Sequence, residues 1–117
     1  REELADRVEK YVDDNCLKQS FSLDEIADTF DLTKQHLCWV FKKEKSITIS
    51  QYATARRLAW TKNYLAEHPT ALIKHVAILA GFSDSNYFIK TFRKHEKMTP
   101  LEYASQFLEE DAEDAYE

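Results

Sequence analysis

Two stretches of the chain read alike at a fixed offset, and this limits the possible folds more than any other feature. Phe41-Lys-Lys-Glu-Lys-Ser-Ile-Thr-Ile-Ser-Gln-Tyr52 aligns without a gap on Phe92-Arg-Lys-His-Glu-Lys-Met-Thr-Pro-Leu-Glu-Tyr103. Phe, Lys, Thr and Tyr are identical, and Lys/Arg, Ile/Met and Gln/Glu match in kind. Upstream, Ile26-Ala27-Asp-Thr-Phe30-Asp31-Leu32-Thr33 matches Val76-Ala77-Ile-Leu-Ala80-Gly81-Phe82-Ser83 at an offset of 50, whereas the downstream offset is 51. The second copy therefore carries one extra residue between its turn and its Phe. With 117 residues the chain holds one domain's worth of core, so the copies are small, similar substructures.

Each copy is helical. One Gly and two Pro in the whole chain leave too few turn-formers for a hairpin-rich β architecture, and apolar residues recur at helical spacing throughout. Leu4, Val8, Tyr11 and Val12 stripe a helix over about 2–15. Ser22-Leu-Asp-Glu25 is a capping box opening a short helix with Ile26, Ala27 and Phe30 inward. Thr33 opens the next, about 33–44, with Leu37, Val40 and Phe41 buried. Thr48-Ile-Ser-Gln51 starts a long helix, about 49–67, with Tyr52, Leu58, Tyr64 and Leu65 inward; it stops before His68-Pro69. Ile73, Val76, Ala77 and Ala80 mark a short helix closed by Gly81. Tyr87, Phe88 and Phe92 stripe another, about 84–96, and Thr99-Pro-Leu-Glu102 caps the last. The predicted fold is all-α, with about seven helices.

Within each copy a small residue (Ala27, Ala77) sits where two helices cross closely. Four residues on, Asp31 or Gly81 suits left-handed backbone, and a hydroxyl (Thr33, Ser83) then caps the second helix. That is the anatomy of a helix-turn-helix, over about 22–44 and again over about 72–96. The linking helix, roughly 25–30 Å long, could hold two recognition helices near one DNA turn apart. Charge follows the same plan. Residues 1–32 carry ten acids and four bases, residues 33–97 twelve bases and four acids, and residues 98–117 seven acids and no base. A basic middle between acidic ends is what a surface meeting phosphate on one side requires, despite the net charge of −5.

At these residues the sequence resembles the DNA-binding domain of the AraC/XylS family of bacterial transcription regulators, over roughly residues 4–106. Gly81-Phe-Ser-Asp-Ser-Asn-Tyr-Phe-Ile-Lys-Thr-Phe-Arg-Lys and Met98-Thr-Pro-Leu-Glu-Tyr103 are the most specific portion. The resemblance implies seven helices, two helix-turn-helix subdomains and a linking helix within residues 1–108, followed by an acidic tail, 109–117. It implies sequence-specific binding of double-stranded DNA, typically in an activator, and a separate effector-sensing or dimerising domain. The chain departs from the family pattern at Asp31, Ser46 and Lys97, where glycines are usual, and at Ala104, where an arginine is frequent.

On the first recognition helix Lys34, Gln35, Cys38 and Trp39 are expected to face bases. Gln pairs bidentately with adenine and Lys with guanine, whereas Cys38 and Trp39 suit thymine methyls, sugar or backbone stacking. The alternative for Trp39 is that it covers a neighbouring helix, and for Cys38 a semi-buried thiol. On the second, Ser85, Asn86, Ile89 and Lys90 are the expected readers, while Asp84 supports the helix N-terminus. Lys42, Lys43, Lys45, Arg56, Arg57, Arg93, Lys94 and Lys97 are expected at phosphates, although Arg56, Arg57 and Lys62 also suit internal ion pairs. His36, His68, His75 and His95 share no face at metal-ligand spacing, and no catalytic motif is present; neither a metal nor a cofactor is implied, and an enzyme finds no support. The competing class is a helical protein-interaction module using the acidic first helix and tail. The acids Glu2, Glu3 and Asp6 are expected to face RNA polymerase or the regulatory domain. Arg1-Glu2-Glu3-Leu4 has no initiator Met or signal-peptide pattern, which reads as a piece of a longer chain. No apolar run spans a membrane, and two cysteines without metal spacing suit a cytoplasmic setting.

Overall fold

The computed structural model describes residues 3–115, with side chains as far as Leu108. Among them are seven α-helices and no strand: α1 (Leu4–Asn15), α2 (Leu23–Thr29), α3 (Lys34–Lys45), α4 (Ile49–Glu67), α5 (Ile73–Leu79), α6 (Ser85–Glu96) and α7 (Pro100–Ala115). Two compact units, Arg1–Arg57 and Leu58–Glu117, divide inside α4. The helical backbone of α7 runs into the acidic segment; residues 116 and 117 and the side chains from 109 onward, where a frayed or disordered tail is expected, lie outside the described residues, as do Arg1 and Glu2.

The duplication is present in the packing. The first unit buries Ile26, Ala27, Leu37, Phe41 and Ala53, and the second buries Val76, Ala77, Phe88, Phe92 and Ala104 at the matching positions. Phe41 meets Tyr52 with ring centroids 6.0 Å apart, and Phe92 meets Tyr103 at 5.7 Å. Ala104, which stands where the family often has arginine, is thus core, like its counterpart Ala53. The turns match bond for bond. The Leu32 N–H donates to the Ala27 carbonyl and the Phe82 N–H to the Ala77 carbonyl, both at 2.9 Å. Asp31 (φ 56°) and Gly81 (φ 95°) hold the left-handed position between them, satisfying carbonyls that a helix end would leave orphaned.

After each second helix the chain turns again through left-handed backbone, at Ser46 (φ 66°) and Lys97 (φ 67°). Their N–H groups donate to Lys42 and Arg93 carbonyls, each at 2.9 Å. A Cβ at such φ costs roughly 1–2 kcal/mol, partly recovered through glycine's greater freedom in the unfolded chain. Ser46→Gly is therefore expected to raise stability by about 0.5–1 kcal/mol, read as a higher urea midpoint; a lower midpoint would contradict this backbone geometry.

The caps hold with two differences. Thr48 and Gln51 exchange bonds at 3.0 Å each, and Thr99 and Glu102 do so at 2.9 and 3.1 Å. Ser22 accepts from the Glu25 N–H at 3.1 Å, but the Glu25 carboxylate takes the Tyr11 hydroxyl instead of closing the box. The second helix of the second copy is capped by Asp84, not Ser83: its carboxylate accepts from the Asn86 N–H at 2.9 Å. Thr33 does the same work in the first copy, for the His36 N–H at 3.1 Å. The extra residue of the second copy therefore falls just before this cap. Tyr87, expected to pack with its hydroxyl outward, lies 6.2 Å from the Phe82 ring centre but is 59% exposed, because the buried stripe Phe88, Thr91 and Phe92 leaves the preceding residue a third of a turn away.

The Thr99 N–H holds the Glu102 carboxyl below its ordinary value, and the Lys45 ammonium does the same for Asp6. A carboxyl with a depressed folded-state value stabilises above its unfolded value, about 4, and ceases to do so as pH falls through the folded one. Stability is accordingly expected to decline below pH about 4, and Glu102→Gln should flatten that decline in a urea titration against pH.

Candidate nucleic-acid interface

Thr33 opens α3, and burial of Leu37 and Phe41, with Val40 half-buried, fixes its rotation. The opposite face exposes Lys34, Gln35, Trp39, Lys42 and Lys43, with Cys38 half-buried at its edge. In α6 the buried Phe88 and Phe92 turn Asn86, Lys90, Arg93 and Lys94 outward, with Lys97 exposed just beyond. Ser85 is half-buried, and Ile89 packs partly against the second core. At the downstream offset the two outer faces correspond: Gln35 with Asn86, Lys42 with Arg93, Lys43 with Lys94, and Trp39 with Lys90.

The cations divide into two groups. Lys45 is ion-paired with Asp6 and, at 3.3 Å, with Glu9. Arg56 reaches Asp13 at 3.1 Å, and Arg57 donates from Nε to the Cys16 carbonyl at 2.6 Å, its guanidinium 5.5 Å from the Phe21 ring centre. These three residues, expected at phosphates, are held within the first unit by partners 36–43 positions away in sequence. Lys62 pairs with Glu96 at 3.3 Å. Lys34 meets Asp24 at 3.3 Å, with both side chains more than half exposed, a contact worth little in water. Among the described residues no acid forms a direct ion pair with Lys42, Lys90, Arg93 or Lys94, although the Arg93 charge helps to lower the Glu102 carboxyl, and Lys97 Nζ donates to the Lys94 carbonyl at 3.4 Å.

The acids of α1 are the other half of this pattern. Asp6 and Glu9 answer Lys45, and Asp13 answers Arg56 and accepts from the Tyr52 hydroxyl. Burial and the bond to Asp13 push the Tyr52 phenol above its ordinary value. Of the acids expected to face a partner, Asp6 is thus internal counter-charge. Of the two cysteines, Cys16 is buried, which pushes its thiol up. Cys38 lines an open depression of about 420 Å³ with Trp39, Lys42, Lys43 and Thr48. Trp39 is 58% exposed, stacked near His36 at 6.3 Å and 29°, with Lys43 Nζ 4.7 Å from its ring centre. The sequence reading missed His36 and Lys43 as its companions, although their spacing from it, three before and four after, signals contact on a helix. Among the described residues no group of three or more His, Cys, Asp or Glu could hold a metal ion, and no helix is long and apolar enough to cross a membrane.

Two bihelical corners, each presenting the polar and cationic outer face of a capped second helix, define a helix-turn-helix protein. Residues 26–106 match the family model described as a helix-turn-helix domain. The chain belongs to the AraC/XylS family of helix-turn-helix DNA-binding domains. It is 30% identical over 104 residues to the HTH-type transcriptional regulator YijO of Escherichia coli, covering 89% of this chain and 36% of that protein. It is 33% identical over 87 residues to the HTH-type transcriptional activator RhaR of the same species, covering 74% and 30%. The chain thus spans about a third of the length of these curated relatives. Among solved structures, the C-terminal domain of the two-component response regulator yesN from Fusobacterium nucleatum superposes with a TM-score of 0.80 at 26% identity, covering 85% of this chain and 95% of that one. A DNA-binding transcriptional dual regulator from Escherichia coli gives 0.75 at 26% identity, covering 91% and 99%.

Proposed function

We propose that this chain is the sequence-reading module of a bacterial transcription regulator, laying α3 and α6 into consecutive major grooves of double-stranded DNA in the cytoplasm. One observation carries the reading: both second helices turn a matched polar face outward, and the cations on those faces, Lys42, Lys90, Arg93 and Lys94, form no direct ion pair with an acid among the described residues, Arg93 acting on Glu102 only at longer range. Lys34, Gln35, Cys38 and Trp39 on α3, and Ser85, Asn86, Ile89 and Lys90 on α6, are the base readers. Lys42, Arg93, Lys94 and Lys97 neutralise phosphates; Lys45, Arg56 and Arg57 leave that set because their charges are engaged internally. In the whole protein an effector-sensing or dimerising domain would control this module, and activation would run through RNA polymerase, in keeping with the activator among its relatives.

The protein-interaction alternative rests on the acidic first helix and tail, and its first-helix part is weakened because Asp6, Glu9 and Asp13 are occupied within the unit. Salt dependence separates the two. Lys42→Ala and Arg93→Ala are each expected to lower the slope of log K against log salt on duplex DNA by about 0.9, whereas Lys45→Ala leaves it unchanged. Fluorescence anisotropy across a salt series reads this directly. Slopes untouched by Lys42→Ala and Arg93→Ala would turn these faces away from DNA and favour the interaction module.

A further inference from the structure

We infer that Lys43 is a positioning residue, not a phosphate contact: with His36 it holds Trp39 as a preformed reader of a thymine methyl group in the half-site met by α3. The inference rests on the DNA-reading proposal and deepens it. His36, Trp39 and Lys43 lie on one ridge of α3, three and four residues apart. The indole has the His36 ring near-parallel at 6.3 Å and the Lys43 ammonium 4.7 Å from its centre. An ammonium over an indole face is attracted by the ring quadrupole, so a side chain that is 58% exposed is restrained before any ligand arrives. The exposed surface is mostly apolar, continuous with Cys38 in the open depression that Thr48 also lines.

In the major groove each base edge displays hydrogen-bond donors and acceptors, and the one protruding apolar group is the C5 methyl of thymine. An indole pressed on any other edge would bury polar atoms unpaired. At the equivalent position of α6 stands Lys90, whose ammonium suits guanine. The two copies therefore ask for different bases, and the bipartite site is asymmetric.

The test uses the full chain and a duplex selected from random DNA. Each thymine of that duplex is replaced in turn by uracil, which removes only the methyl. One position is expected to lose about fourfold in affinity, the worth of one buried methyl group. Trp39→Ala abolishes the difference between thymine and uracil there, Lys43→Met reduces it, and Lys43→Arg, which keeps the cation over the ring, retains it. Helix content by circular dichroism checks that the variants are folded. Sequence-selective binding in which no uracil costs affinity would overturn the inference while leaving DNA reading intact. Equal discrimination in Lys43→Met and the parent would overturn the positioning role, and selection of no sequence would remove the reading on which both depend.

Discussion

Phe92→Ala is expected to cost about 3–5 kcal/mol, the range for deleting a buried aromatic ring, and to erase one of two DNA boxes. Phe92 is fully buried between Phe88, at 6.2 Å between ring centres, and Tyr103, at 5.7 Å. It joins α6 to α7, and its burial keeps Asn86, Lys90 and Arg93 outward. A domain of this size has about 5–15 kcal/mol in total, so the loss leaves the second unit marginal. Urea unfolding followed by circular dichroism reads the cost. Sites selected by the variant should retain the half met by α3 and lose the half met by α6. A cost below about 1 kcal/mol would mean that the cavity collapses freely and that Phe92 does not fix the face of α6. Phe41→Ala, the counterpart in the first unit, should act on the other box.

Asn86→Ala is the second large effect. An amide that pairs bidentately with adenine contributes about 1–3 kcal/mol of discrimination against the wrong base, roughly 5- to 150-fold. Asn86 is exposed in the first turn of α6, and its backbone N–H, not its side chain, is used by the Asp84 cap. Its amide is therefore available for a base edge, and removing it should leave stability within about 0.5 kcal/mol. The expected result is lost preference at one base step of the second box, with affinity for the cognate duplex falling to that for the mismatched one and the salt slope nearly kept. Gln35→Ala should act alike at the first box. The two effects should add, since the residues sit in separate compact units and share no partner. A uniform fall in affinity for all sequences would instead make Asn86 a backbone contact.

The architecture was legible because its signals are local. Apolar spacing, three capping boxes and the duplicated segment predicted α4 over 49–67, as found in Ile49–Glu67, and placed Leu37, Phe41, Phe88 and Phe92 in the core. The left-handed turns at Asp31 and Gly81 followed from alignment of the copies. What stayed hidden depends on partners far along the chain. Nothing near Lys45 in sequence announces Asp6 and Glu9, and nothing near Glu25 announces the Tyr11 hydroxyl that draws it out of its capping box. Asp84 was assigned to the helix N-terminus but not as the cap itself, because Ser83 aligned with Thr33 at the upstream offset, and the extra residue could lie anywhere before Phe92. The Trp39 cluster is legible from helical spacing, but a lysine at that position of a basic helix suits a phosphate equally well.

The central claim is that both second helices read bases, one DNA turn apart. Selection of bound duplexes from a random pool by the full chain, followed by sequencing, tests it most directly. The account predicts two short, dissimilar boxes with centres about 10 base pairs apart, the first weakened by Gln35→Ala and the second by Asn86→Ala. A single box that only one of these substitutions alters would contradict it.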